Sequence, residues 1–146
     1  MFIFRLQSVL EVREKLARLR QKEFSDVLAI RQGMEGQIEQ HRGDLSRAAQ
    51  YIDAIKRTSP TAYPMELFGH YRKRIEGEIA LISEQMREQD QELESKRSSL
   101  VEAKRAQRTL EILREKERIR YDREQSRRER VTMDEVASNY YVLRHR

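Results

Sequence analysis

Apolar residues recur in steps of three and four along nearly the whole chain, and the pattern is broken once. Residues 1–57 and 65–146 contain no proline, and both prolines fall in the stretch Thr58-Ser59-Pro60-Thr61-Ala62-Tyr63-Pro64. Steps of three and four place side chains on one face of a helix. Proline inside a helix costs about 3 kcal/mol, because it lacks the N–H and clashes with the preceding turn. Pro64 suits the first turn of a following helix, with Glu66 near its positive end, and Lys56 and Arg57 suit the negative end of a preceding one. The pattern predicts helix 1 over about 2–57, a connection over about 58–64, helix 2 over about 65–139 and a short tail at 140–146. A connection of roughly 6 to 8 residues favours antiparallel neighbours. The expected fold is all-α: a single hairpin of two long helices in an antiparallel coiled coil, the second helix longer.

In the first arm, Phe2, Leu6, Val9 and Leu16, then Val27, Ile30 and Met34, fit a seven-residue repeat, with Arg13, Arg20 and Glu23 at intervening positions. Ile38, Leu45 and Ile52 form a second series, with Ala48 and Ile55 between, out of phase with the first. The step from Met34 to Ile38 then acts as a stutter, which relaxes supercoiling locally. Gly33, Gly36 and Gly43 cluster there, each costing about 1 kcal/mol against alanine in a helix. Two readings are open: a soft spot, or the ordinary tolerance of a long helix.

In the second arm, Ile82, Met86, Leu93, Leu100, Ala103 and Leu110 fall on one seam, with Gln89, Lys96 and Gln107 at alternate positions. Polar seam residues reduce stability and fix register. Beyond Leu113 the seam fades. Residues 114–130 hold eight basic and five acidic side chains, with Ile119 and Tyr121 as their apolar members. Thr132-Met133-Asp134-Glu135 has a capping-box pattern, so either a helix restarts there or one helix runs through. Folding the chain near residue 61 places Phe4 beside Arg118 and leaves the residues after about 120 without a partner arm. That end reads either as a docking element or as a solvated terminus.

Charged residues make up 38% of the 146, which suits a structure that buries only a stripe. The net charge of +5 admits acidic partners without selecting one. With no cysteine, the chain has no disulfide, thiolate metal site or cysteine nucleophile. No stretch approaches the ~20 apolar residues of a membrane span, and the start does not read as a signal peptide, so a cytosolic protein without direct membrane insertion is expected. His41, His70 and His145 are far apart and do not suggest a metal site. No phosphate loop or nucleophile elbow is present, and the pattern calls for no cofactor and no catalytic residue. Acidic residues interrupt the basic stretch, and aromatics do not interleave with it, so nucleic acid is not an expected partner.

The opening Phe4-Arg5-Leu6-Gln7-Ser8-Val9-Leu10-Glu11-Val12-Arg13-Glu14 is similar to the F-x-L-x-x-V-L-x-x-R-E opening of the flagellar export protein FliJ family. Leu110-Glu111-x-Leu113-x-Glu115, then Tyr121, Glu129 and Asp134-Glu135-x-Ala137, resembles the family's closing pattern. The aromatic tail from Tyr140 and the two prolines of the break depart from it. The resemblance implies a non-enzymatic coiled-coil stalk of the flagellar type III export apparatus, cytoplasmic and peripheral to the inner membrane at the flagellar base. Its open end would enter the hexameric export ATPase, and the protein would also engage the membrane protein of the export gate and export chaperones. On that footing Arg118, Arg120, Arg123, Arg127 and Arg128 would meet acidic loops of the ATPase ring, with Phe4 and Leu6 clamping the first helix. Leu45, Ile52, Tyr71 and Ile75 would serve the gate side or simply pack the hairpin. The alternative is a coiled-coil adaptor or chaperone-escort module.

Overall fold

The computed structural model describes residues 1–59 and 61–144. Pro60 of the expected break, and His145 and Arg146 of the expected tail, lie outside the described residues. The fold is all-α, with a 52-residue helix α1 (Gln7–Thr58) followed by an 82-residue helix α2 (Tyr63–Arg144). The chain divides into two compact units, one of Leu19–Leu100 and one of Met1–Arg18 with Val101–Arg146.

The helix ends follow from local chemistry. α1 starts at Gln7 rather than near residue 2, because the first residues turn instead. The Gln7 N–H donates to the Phe4 carbonyl at 3.1 Å, and Phe4 itself is 5% exposed. α1 closes with the Thr58 hydroxyl donating to the carbonyls of Ala54 and Ile55, and Lys56 and Arg57 in its last turn. α2 opens on the Ala62 carbonyl, which accepts from the N–H groups of Met65 and Glu66 at 3.1 Å each. Pro64 therefore sits in the first turn, where no intrahelical N–H bond is lost. α2 reaches Arg144 rather than stopping near 139. The Thr132 hydroxyl donates to the Arg128 carbonyl at 3.0 Å, one turn back, instead of capping a new helix, so the helix runs through.

In the unit Leu19–Leu100 the two helices run antiparallel, joined by Arg31 with Asp90, Glu23 with Lys96, and His41 with Glu78. Facing residue numbers add to roughly 120, as an antiparallel pair requires. The seam of α1 here is an unbroken heptad through Phe24, Arg31, Ile38, Leu45 and Ile52, with Val27, Met34, His41, Ala48 and Ile55 between. This corrects the expected stutter. Ile30 is 51% exposed, and Arg31 holds the seam position instead. Arginine can lie there because its methylene stem packs while its guanidinium reaches outward to Asp90 and Glu35. With Arg31 in the seam, steps of three and four alternate and no phase change is needed.

In the other unit the core consists of Phe4, Leu10, Ala17 and Ala103. Leu10 is 1% exposed, a burial worth about 1.5–3 kcal/mol for a leucine side chain. Leu6 and Val9, expected on the seam, are exposed. Packing instead buries Leu10 and Ala17, which carry the repeat one residue later than Val9 and Leu16. The N-terminal ammonium donates to the Tyr121 hydroxyl at 2.9 Å, and the Phe2 ring meets that of Tyr121 at 5.7 Å between centroids. Residues 126–144 are helical and every one is exposed.

Candidate partner-docking surfaces

Two surfaces emerge, one in each unit. The first lies on α2 around residues 118–131. The five arginines expected there do not form one patch. Arg120, Arg123 and Arg127 share a face by their spacing, and Arg130 continues it. Arg123, Arg127 and Arg130 border a shallow depression with Ile119, Asp122, Ser126 and Val131, Asp122 being its one acidic member. Among the described residues, none of these four arginines forms a salt bridge. Arg118 and Arg128 point elsewhere around the helix and sit one turn from Asp122 and Glu124, at 4.0 and 3.3 Å. Pairs of that spacing support an isolated helix by a few tenths of a kcal/mol each, about 0.2–0.5.

Phe4 is core in this unit, whereas Leu6 is exposed at the helix start. The clamp on the first segment is made by Met1 and Phe2 on Tyr121. Sequence reasoning missed Arg130 and the Tyr121 contact. The seven-residue step from Arg123 to Arg130 was the available signal for the first. Nearby, hydrogen bonds from Arg108 and Gln107 hold the Glu111 carboxyl below the usual range.

The second surface lies beside the connection. Ile52 and Tyr71 line a groove of about 740 Å³ together with Ala48, Tyr51, Ile55, Tyr63, Pro64, Leu67, Phe68, His70 and Arg74. Tyr51 and Tyr63 are 67% and 73% exposed, and Leu67 is 58% exposed. The Arg74 guanidinium stands over the Tyr71 ring at 5.4 Å from its centroid, an arrangement worth about 0.5–1 kcal/mol at an exposed site. Of the other two expected residues, Leu45 is half-buried and does not line the groove, and Ile75 is 4% exposed and belongs to the core. The groove's α2 wall had a signal in sequence: Tyr63, Leu67, Phe68 and Tyr71, with Met65 beside them, are denser than one seam can bury.

Among the described residues, no helix is long and apolar enough to cross a membrane. No curated protein matches the chain. No solved structure matches it. The whole chain, residues 1–146, matches the family described as Flagellar FliJ protein. The long helical pair, the charge-rich α2 and the opening and closing motifs all agree with that match, and the chain belongs to the flagellar FliJ family, a component of the flagellar export apparatus.

Proposed function

We propose that the protein is a non-enzymatic stalk and coupling component of the flagellar type III export apparatus. It works in the cytoplasm at the flagellar base. The unit holding both termini enters the central hole of the hexameric export ATPase, and the surface beside the connection faces the export gate. The observation that carries this reading is the exposed helical segment 126–144 together with the basic face of Arg120, Arg123, Arg127 and Arg130, which spans its start. A helix stripped of its partner arm can contact a surrounding ring on all sides. A basic face on one side makes those contacts unequal, which biases the nucleotide states of the ring subunits. No chemistry by the chain itself is required.

The test uses the purified hexameric ATPase and the full chain. The chain is expected to raise ATP turnover, and Arg123→Glu, Arg127→Glu and Arg130→Glu combined are expected to remove both binding and stimulation at moderate salt. A chain that binds the ring and leaves turnover unchanged would sink the coupling role. A second reading, an adaptor or chaperone-escort module, is favoured by the open apolar groove at Ile52 and Tyr71. It predicts capture of export chaperones through that groove with no effect on the ATPase.

A further inference from the structure

Beside the connection, the seam between α1 and α2 is open on one side. Ala48, Ile52 and Ile55 border the groove from α1, and Leu67, Tyr71 and Arg74 border it from α2. On each helix these positions step by four and then by three. The groove is therefore walled by two ridges with the same period, each running about 10 Å, or two helical turns. Such ridges accept a third helix whose own side chains recur at i, i+4 and i+7. They suit an extended strand poorly. A strand needs free backbone donors and acceptors along its docking edge, and a helix interior spends its own on the i to i−4 ladder.

Charge narrows the occupant further. Arg74 closes one wall of the groove, braced over Tyr71. Its nearest carboxylate, on Glu78, is 3.9 Å away, longer than a hydrogen bond. A guanidinium carries five N–H donors in a planar fork, so most remain for an incoming carboxylate, which it binds in bidentate fashion. A second copy of the chain is the poorer occupant. A two-fold contact between identical grooves brings two Arg74 side chains into one interface, like charge against like.

We propose that this groove docks an amphipathic helix of a partner protein, with apolar side chains at i, i+4 and i+7 and a carboxylate against Arg74. The inference rests on the stalk reading only for which protein supplies the helix.

The experiment uses the full chain and two fluorescein-labelled designed helical peptides. Both carry leucine at i, i+4 and i+7, and they differ only in a flanking Glu or Lys. Anisotropy is expected to show the Glu peptide binding at least tenfold more tightly than its Lys twin. Leu67→Asp, at an exposed position, is expected to weaken binding at least tenfold with the circular-dichroism spectrum unchanged. Arg74→Glu is expected to invert the preference between the peptides. Equal binding of the twins, no binding of either, or indifference to Leu67→Asp would overturn the proposal. So would a concentration-dependent dimer abolished by Leu67→Asp in sedimentation, which assigns the groove to a second copy. ATPase stimulation is read separately. Its absence in the wild-type chain with peptide binding intact overturns the stalk reading alone, and the reverse result overturns the groove assignment alone.

Discussion

Arg31 and Glu23 carry charge at or beside the seam of the hairpin while only partly buried. Arg31 spends its stem on packing and its head on Asp90, whose hydrogen bond raises the guanidinium pKa above its ordinary value, with the Asp90 charge adding to it. Glu23 accepts from Arg20 at 2.9 Å and has Lys96 at 3.8 Å. The Arg20 hydrogen bond holds its carboxyl below the usual range, with the charges of Arg20 and Lys96 helping and partial burial opposing. A lowered folded-state pKa means that the ionised form favours folding. The contribution is complete above the ordinary carboxylate range and disappears as pH falls through and below that range. Glu111 acts in the same direction, whereas the Arg31 contribution is lost only on the alkaline side. The melting temperature is therefore expected to fall between pH 7 and pH 3. Glu23→Gln is expected to lower it at pH 7 and to narrow the difference between the two. Identical pH dependence in wild type and variant would show that Glu23 is solvated and idle.

At the scale of the helices, much was legible in the sequence and the remainder was lost for a definable reason. The α2 seam stands as its spacing predicts, because Met86, Leu93 and Leu100 are seven apart among mostly polar neighbours. Only the start of α1 and Ile30 depart from the expected seam. Leu6, Val9, Leu10, Val12, Leu16, Ala17 and Leu19 support more than one series of threes and fours. Only packing chooses between them, and it chose Leu10 and Ala17. The same ambiguity made Ile30 look like a seam residue, since hydropathy ranks it above Arg31. The basic face at residues 120–130 was read as a list of arginines, because net composition does not say which of them share a face. The glycines supply the test at this scale. A Cβ added at Gly33 or Gly36 meets nothing within 4 Å, and neither has a positive φ. Gly33→Ala with Gly36→Ala is expected to stabilise the helix by about 1 kcal/mol per site. Thermal melts followed at the helical band check this. An unchanged or lower melting temperature would mean that these positions adopt a non-helical form in solution.

For the whole molecule, the two candidate surfaces belong to different units, and each stands on its own contacts. Residues that pack, such as Ile75 and Phe4, are poor places to test partner binding, because their loss costs folding first. Exposed residues separate the two jobs. Leu67→Asp removes an apolar side chain from the groove wall, and Arg123→Glu with Arg127→Glu and Arg130→Glu reverses the basic face. Sites with no shared partners are expected to act independently on any one equilibrium. The Leu67 variant is therefore expected to stimulate the ATPase like wild type, and the arginine variant is expected to bind the groove peptide like wild type. If the protein couples the ring to the gate, each variant alone is nevertheless expected to abolish motility and export of flagellar subunits in cells, since coupling needs both surfaces engaged. An adaptor reading predicts a different pattern, in which the arginine variant swims normally and only the groove variant fails. Swimming halos and secreted-subunit assays on the two single-surface strains distinguish these outcomes directly.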